Sequence, residues 1–472
     1  MKRVLILLLS LLPASLTWLS CGGSSSPSSS TKASGLDYRA FVTNSVTSGT
    51  GAAGVYIVNA ATDVRPVISP ISAGNTPGMM VLTPNRAQTL VFSGNGTPFS
   101  DNQFTVIENA TETAAGHVTL PGVTESFVVS PDSSTAYVAV PTAPVVGQSP
   151  GVIQVISLSS GTVLGTISCP LGNPAPAVCV SADPNLQGIN PPYRYLSIGN
   201  TGTRLLAFSE GAGQNSDSVP NVVAVITPSS LGTASAVISL VPGFDHPVWA
   251  YFNSDDTTAY VVNCGAECGG QQASVQPLDL TTNPPTPGTA VPVPAATVAL
   301  VNNSTMYLAG TPAPPQPCPA GTQATSCGLL TVFDLSHMTA TNSTPIIITD
   351  GYHSRMSLGA NGQLFIGART CTEVVAPVPP PQGAEVRGCL SIYNTQTGAV
   401  VIPPTNGDVT GIQPIATRDV VYVIQGQNLQ GGSLYIYDTT TDALEFNPND
   451  PNNPGQVSNL IGNFVDVKTV DF

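Results

Sequence analysis

Charged side chains are scarce in this chain. Asp, Glu, Lys and Arg make up only 8% of its 472 residues, against roughly 25% in an average soluble domain. The few that occur are mostly acidic, with 27 Asp and Glu against 13 Lys and Arg and a formal net charge of -14. A chain with so few cations has no basic patch for a phosphate backbone. We therefore expect no nucleic-acid partner, and a surface made of Ser, Thr, Asn, Gln, Gly and Pro.

Long apolar runs are absent except at the N-terminus. There Lys2-Arg3 precedes an apolar run over residues 4–12, which Pro13 interrupts before it resumes towards Leu19. The whole stretch falls short of the ~20 apolar residues that a membrane-spanning helix needs. A short apolar segment behind a positive start is typical of a secretory signal peptide, which we predict over residues 1–20.

The residues that end this segment, Leu19-Ser20-Cys21, resemble the lipobox of bacterial lipoproteins, in which the cysteine is lipidated and becomes the mature N-terminus. The resemblance implies an exported lipoprotein, anchored to a membrane through Cys21 and facing the periplasm or the cell surface. Residues 22–35 are almost all Gly, Ser, Pro and Thr, which fits a flexible tether behind the lipidated cysteine in segment 21–35. The alternative is ordinary secretion with an incidental cysteine. No other membrane contact is expected.

The cysteines point to the same compartment. The chain has nine, and apart from Cys21 they fall into close pairs along the sequence. Metal binding is the alternative, but no C-x-x-C pair occurs, no histidine stands at zinc spacing, and thiols do not stay reduced outside the cytoplasm. We therefore predict structural disulfides, with no metal and no cofactor. The predicted pairs are Cys169–Cys179, Cys264–Cys268, Cys318–Cys327 and Cys371–Cys389.

Short apolar strands separated by polar turns repeat along the chain. Residues 127–129 and 136–140 flank one such turn, and two further strands follow at 151–158 and 162–168. Self-similar groups of four strands every ~40–50 residues are the signature of a β-propeller. The unit at 246–294 is the least regular, because Pro277 lies inside its third strand. Full units are predicted at 76–122, 124–172, 193–243, 246–294, 296–351, 353–407 and 408–461.

The two ends of the repeat region complement each other. Residues 38–71 supply strands but lack an innermost one, whereas residues 463–472 have the pattern of an isolated first strand. Pairing the last strand with the first would close a ring and remove two open sheet edges. The prediction is an all-β fold, a single propeller of four-stranded blades over residues 36–472. Counting the shared blade gives eight blades, or seven if one weak unit is an insertion.

Several repeats carry a recurring motif. Ser130-Pro131-Asp132 precedes Ala136-Tyr137-Val138, and related strand endings occur at Phe41-Val42-Thr43-Asn44 and Tyr260-Val261-Val262-Asn263. These motifs resemble the YVTN family of β-propeller repeat proteins, a group that includes lactonase-type propellers and surface-layer proteins. The resemblance implies the fold. It leaves the function open, because propellers host binding, scaffolding and catalysis alike.

Nearly all the long insertions lie on one side of the predicted ring. In a four-stranded blade, the connections between strands two and three, and from strand four to the next blade, emerge on the same face. All predicted disulfides also lie in these connections, and loops on a rigid scaffold commonly carry function. We name this side the long-loop face and expect it to meet a protein or glycan partner. Its insertions are 142–150, 172–192, 211–220, 311–328 and 370–388.

Candidate site residues are few. Asp245, His246, His353 and Arg355 all lie where a unit enters its innermost strand, near the mouth of the channel on the long-loop face. Together they could bind an anionic ligand or act as acid and base; the alternative is a structural or solvated role. Two functions stay open, a monomeric binding or interaction module and a lactonase-like hydrolase. No H-E-x-x-H or P-loop motif occurs, which favours binding, and no catalytic residue is assigned.

Overall fold

The architecture is all-β. In the computed structural model, the described part of the chain contains short strands and three short 3-10 helices, at Pro184–Leu186, Pro228–Ser230 and Gly265–Cys268. No helix in this part is long and apolar enough to cross a membrane. The structure describes residues 32–45, 52–94, 100–169, 178–209, 221–230, 237–314, 326–372, 374–377, 384–403, 407–426, 432–445 and 455–471.

The strands form consecutive antiparallel units, which we number along the chain. Their Val, Ile, Thr and Tyr content and buried cores are typical of strands packed on both faces. Unit 1 contains β1 (Arg39–Asn44) and β2 (Gly54–Asn59). Unit 2 contains β3 (Pro77–Leu82), β4 (Gln88–Ser93), β5 (Gln103–Glu108) and β6 (Thr113–Thr119). Unit 3 contains β7 (Ser126–Val129), β8 (Thr135–Val140), β9 (Val152–Ser157) and β10 (Thr162–Ile167).

The next two units have additional short strands at their outer edges. Unit 4 contains β11 (Val178–Ser181), β12 (Tyr195–Ile198), β13 (Leu205–Phe208), β14 (Val222–Ile226) and β15 (Val237–Pro242). Unit 5 contains β16 (Pro247–Phe252), β17 (Thr258–Asn263), β18 (Ser274–Asp279), β19 (Thr286–Pro287) and β20 (Val291–Pro292).

The remaining strands complete the described fold. Unit 6 contains β21 (Val298–Asn302), β22 (Thr305–Gly310), β23 (Gly328–Asp334), β24 (Thr339–Ala340) and β25 (Ile346–Ile348). Unit 7 contains β26 (Tyr352–Leu358), β27 (Gln363–Arg369), β28 (Val374–Pro377), β29 (Ala384–Arg387), β30 (Leu390–Asn394) and β31 (Val400–Val401). Unit 8 contains β32 (Asp408–Ile415), β33 (Val420–Gly426), β34 (Gly432–Asp438) and β35 (Ala443–Leu444), and β36 (Phe464–Thr469) follows it.

The Ser-Pro-Asp motif forms the turn between the first two strands of unit 3. The Asp132 carboxylate accepts hydrogen bonds from the Ser130 hydroxyl at 2.5 Å and from the Ser134 backbone N–H at 3.0 Å. Ser133, between them, has a φ of 61°, a left-handed conformation that costs free energy in most residues. The aspartate therefore stabilises the tight turn that joins β7 to β8.

Pro277 does not break β18. It pairs with Tyr260 in the ladder, and its carbonyl accepts a hydrogen bond from Gly288 N–H on the outer side. On that side β18 pairs only with the short strands β19 and β20, which leave a gap opposite the proline. Its missing donor therefore falls where no ladder hydrogen bond is formed.

The buried core is divided among the contacts between units. Each of eight apolar clusters combines side chains from two successive units, including one between units 8 and 1 and one between units 1 and 2. In the cluster between units 2 and 3, the rings of Phe104 and Phe127 meet edge to face, 5.2 Å apart. Burial of this kind stabilises each sheet only while its neighbours are in place.

The last strand pairs with the first. β36 runs antiparallel to β1, with Val42 opposite Val467 and Asn44 opposite Phe464. This is the pairing predicted between residues 463–472 and the N-terminal segment. β36 also contacts β3 and β32, the innermost strands of units 2 and 8. The Arg39 side chain donates to both carboxylate oxygens of Asp471, at 2.8 and 2.6 Å, and so fastens the two chain ends together.

Three of the predicted disulfides are present, Cys169–Cys179, Cys264–Cys268 and Cys371–Cys389. Cys327 is also disulfide-bonded, while its predicted partner Cys318 lies outside the described residues. Cys21, the predicted signal peptide and most of the predicted tether likewise lie outside them.

Two of the insertions expected to be irregular contain strands instead. β11, within 172–192, pairs in parallel with β15 and extends unit 4 outward. β28 and β29, within 370–388, form a separate two-stranded hairpin. Each of these strands is only four residues long and is flanked by Pro and Gly, too short to show a strand pattern in the sequence.

The central cavity as a candidate binding site

The innermost strands of units 2 to 7, together with β36, surround one central cavity of about 810 Å³. Side chains from β3, β7, β12, β16, β21, β26 and β36 line it. Each of these strands begins at the long-loop face, so the mouth of the cavity on that face is formed by the residues at or just before the strand starts. A concave space on a rigid scaffold is the usual place for a ligand.

A hydrogen-bonded cluster lies at this mouth. The Tyr195 hydroxyl donates to the Glu125 carboxylate at 3.1 Å, and it lies 3.4 Å from the Tyr352 hydroxyl. Arg194 completes the cluster with an ion pair to Glu125 at 3.2 Å. Burial, and then the neighbouring Tyr352 and Glu125, raise the pKa of Tyr195 well above its usual value, so its phenol remains a donor. Units 3, 4 and 7 are therefore connected across the opening.

Two arginines of unit 7 line the cavity. The Arg369 guanidinium lies over the Tyr352 ring, 5.2 Å from its centroid, a favourable cation–π contact. Its Nε is buried and has no hydrogen-bond partner among the described residues. Arg355 donates from Nε to the Thr410 carbonyl at 2.8 Å and from Nη1 to the Ser354 carbonyl at 3.0 Å. Neither arginine forms an ion pair with a described carboxylate.

A third cation, Lys468, lies on β36 and is already paired. Its ammonium group is 3.1 Å from the carboxylate of Asp466. Asp466 is almost fully buried, and it also accepts hydrogen bonds from the backbone N–H groups of Met80 at 2.8 Å and Val467 at 2.9 Å. This carboxylate is therefore satisfied by the protein itself, as a buried charge must be.

The remaining wall is apolar and aromatic. Trp249, Met79, Met356 and Val298 are half-buried and face the cavity. Tyr251, next to them, donates its hydroxyl to the Ala299 carbonyl and is held in place by that bond. Thioether and indole groups of this kind offer polarizable contacts to a flat apolar molecule.

Among the predicted site residues, Asp245 and His246 lie beside a disulfide loop and do not line the cavity. The Asp245 carboxylate accepts hydrogen bonds from the backbone N–H groups of Gln271 at 2.8 Å and Gln272 at 2.7 Å. The His246 ring nitrogen lies 3.1 Å from Asp245, and the imidazole is almost fully buried. The pair thus supports the loop that carries Cys264.

His353 is completely buried and is also outside the cavity wall. Neither of its ring nitrogens has a hydrogen-bond partner among the described residues. Burial lowers its pKa to about 4, against smaller opposite effects of the Thr349 backbone and the Asp350 carboxylate. Of the four predicted residues, the structure brings only Arg355 into the cavity.

The mouth residues Glu125, Tyr195, Tyr352 and Arg369 were not among the predicted site residues. They lie far apart along the chain, with 70 residues from Glu125 to Tyr195 and 157 from Tyr195 to Tyr352. The cluster therefore cannot be recognised from the sequence by spacing. One signal could have found most of them. The first three stand at or immediately before the start of an innermost strand, the position that selected Arg355 and His353.

A second, smaller cavity of about 430 Å³ lies between units 5 and 6. Glu267, inside the Cys264–Cys268 loop, lines it and accepts a hydrogen bond from the Thr311 backbone N–H at 2.8 Å. Burial raises the pKa of this carboxyl group to about 8, so that it is mostly protonated at neutral pH.

Comparison with known proteins supports the fold. A solved structure of dihydro-heme d1 dehydrogenase NirN in complex with DHE superposes with a TM-score of 0.57 at 12% identity, over 92% of this chain and 76% of that chain. The periplasmic gluconolactonase PpgL of Pseudomonas aeruginosa gives a TM-score of 0.39 at 13% identity, over 92% and 98%. The Cps50 (Swd1) β-propeller domain of Myceliophteria thermophila gives 0.46 at 7% identity, over 75% and 94%.

No protein-family profile matches the chain, and no curated protein matches it in sequence. The resemblance to YVTN repeats therefore stays a prediction. At such low identity the superposition with NirN supports a β-propeller fold and says nothing about activity.

Proposed function

We propose that the chain is an exported, lipid-anchored propeller of eight blades, with β36 and β1 sharing the blade that closes the ring. Three observations support it: the antiparallel pairing of β36 with β1, the apolar clusters between all successive units, and the disulfides. Disulfides of this kind persist in oxidising compartments outside the cytoplasm. A Cys21→Ala chain should then leave the membrane fraction for the soluble exported fraction. Retention of this variant in the membrane fraction would disprove anchoring at Cys21.

Its function in this proposal is binding. A ligand, or part of a protein or glycan partner, enters the central cavity from the long-loop face. The observation that carries this proposal is the cavity of about 810 Å³, open between the innermost strands and ringed by polar side chains at its mouth. A pocket of this size can enclose a small organic ligand.

Lactone hydrolysis is less well supported. The described cavity wall includes the hydroxyl groups of Ser126 and Ser354 but no histidine that could activate them. The Ser126 hydroxyl already accepts a hydrogen bond from the Leu196 backbone N–H at 3.0 Å. His353, a candidate acid or base, is enclosed in the protein. We therefore favour a binding module over a hydrolase.

Filling the cavity tests this function. Ser354 is half-buried in the wall, so Ser354→Trp would occupy the space. Ser160→Trp is the matched control, because Ser160 is exposed in the turn between β9 and β10, on the opposite face. In a thermal-shift screen of small organic molecules, compounds should raise the Tm of the wild type and of Ser160→Trp, but not of Ser354→Trp.

Two results would contradict the proposal. Equal stabilisation of Ser354→Trp would place binding elsewhere on the molecule. Release of a chemically altered compound, detected by mass spectrometry, would show that the protein is an enzyme. Loss of that turnover in a His246→Ala/His353→Ala double variant would then support the hydrolase with these two histidines in its site.

A further inference from the structure

Cations are rare in this protein, yet they concentrate in the central cavity. The full chain has 13 Lys and Arg residues, and Arg355, Arg369 and Lys468 all line this one space. The protein as a whole has a formal charge of -14, so three cations in one cavity run against the overall charge balance. Positive charge held at a low-dielectric concave site attracts anions strongly.

The carboxylates of the cavity do not neutralise these arginines. Asp466 is occupied by Lys468 and by backbone N–H groups, and Glu125 is paired with Arg194 at the mouth. Arg355 and Arg369 have no carboxylate partner among the described residues. The cavity therefore has an excess of two positive charges that the described protein groups leave unmatched.

Arg369 also has unused hydrogen-bonding capacity. It donates no side-chain hydrogen bond to any described residue, and its Nε is buried without a partner. Buried donors are nearly always satisfied in folded proteins, so each exception requires an explanation. The contact with the Tyr352 ring, 5.2 Å from its centroid, restricts the position of the guanidinium. A guanidinium placed in this way can hold an anion by two parallel hydrogen bonds.

We propose that the central cavity binds an organic oxyanion, such as a carboxylate, whose anionic group is held by Arg369 and Arg355. The apolar or aromatic part of the ligand packs against Trp249, Met79 and Met356. This inference rests on the proposed binding function of the cavity and adds to it the chemical class of the ligand.

The fluorescence of Trp249 can report ligand binding in the cavity. The chain has two tryptophans, so a Trp18→Phe full chain leaves Trp249, in the cavity wall, as the only one. The probes are 3-phenylpropionate and its uncharged analogue 3-phenylpropanamide, which have nearly the same size and shape. We expect saturable changes in tryptophan fluorescence with the carboxylate, and much weaker binding of the amide.

The arginine variants identify the group that binds the anion. Arg369→Gln and Arg355→Gln should each weaken binding of the carboxylate by roughly ten- to hundredfold, the effect of losing a hydrogen bond to a charged group. Arg204→Gln is the matched control, since Arg204 lies outside the cavity, at the turn between β12 and β13, and donates to Thr203 and Thr227. This control should bind like the parent.

The outcomes separate this inference from the proposed function. Equal binding of the carboxylate and the amide, unaffected by either arginine variant, would overturn the oxyanion site while a binding cavity remained. No fluorescence change with either probe, combined with no compound that raises the Tm of the wild type in the thermal-shift screen, would overturn both. Circular dichroism should confirm that Arg369→Gln is folded, as expected for a side chain without hydrogen bonds. If Arg355→Gln fails to fold, Arg369→Gln alone decides the result.

Discussion

The hydroxyl groups of Tyr195 and Tyr352 lie 3.4 Å apart across the mouth of the central cavity, although 157 residues separate them in the chain. Tyr195 also donates to Glu125, so three units meet at one point. Such a contact between units 3, 4 and 7 exists only when these units hold their relative positions. It is therefore a sensitive site for testing the fold.

Replacing Tyr195 with Phe should destabilise the protein by roughly 0.5–1.5 kcal/mol, because Glu125 and Tyr352 lose a half-buried hydrogen-bond partner. The measurement is chemical unfolding followed by circular dichroism. Tyr260→Phe is the control, since the Tyr260 hydroxyl has no hydrogen bond among the described residues and is half-buried. Equal stability of the two variants would show that the mouth cluster does not contribute.

The pairing of the two chain ends leads to a second prediction. Val467 is fully buried on β36, opposite Val42. Val467→Ala should lower the free energy of unfolding by roughly 2 kcal/mol, as expected for a buried large-to-small change. The matched control is Val67→Ala, because Val67 is 99% exposed. If the two variants unfold at the same denaturant concentration, β36 is not packed as described.

His353 should make the protein sensitive to acid. Its pKa falls from the usual 6.5 to about 4 on burial, so between these values the unfolded state binds the proton more readily. The free energy of unfolding should then decrease as the pH falls from 6.5 to 4, by roughly 3 kcal/mol in total. His353→Leu should remove this part of the pH dependence, as measured by unfolding curves at several pH values. An unchanged pH profile would contradict the assignment.

Glu267 should act in the opposite direction. Burial raises its pKa from 4.5 to about 8, so the folded state retains a proton that the unfolded state has lost. Stability should decrease as the pH rises from 4.5 to 8. Glu267→Gln should therefore be more stable than the wild type at pH 8, by roughly 1–3 kcal/mol. Asp37→Asn, at a side chain that is 90% exposed, is the control and should not change the profile.

Much of the fold could be predicted because its signals are local. Alternating apolar residues and Asp-containing turns such as that at Asp132 mark the strands, and the unpaired pattern at 463–472 predicted its pairing with β1. β11 was not predicted because it forms by pairing with β15, a strand that lies 59 residues further along the chain. A segment of four residues between turns has too little pattern to indicate such a distant partner.

The candidate site was harder to predict, since its chemistry depends on which side chains point inward. Arg355 was found because it follows a strand start. His353, two residues earlier, was assigned to the same site, but a register shift between them leaves the imidazole in the core and the guanidinium in the cavity. A β-bulge of this kind leaves no clear sign in the sequence.

The ion pair between Arg39 and Asp471 has a consequence for orientation. β36 begins at the long-loop face and ends at the opposite one, so this pair holds Arg39 and Asp471 at the face opposite the long loops. A reporter fused behind the C-terminus would therefore lie on the face away from the opening between Tyr195 and Tyr352, and would leave that opening free for molecules arriving from the surrounding medium.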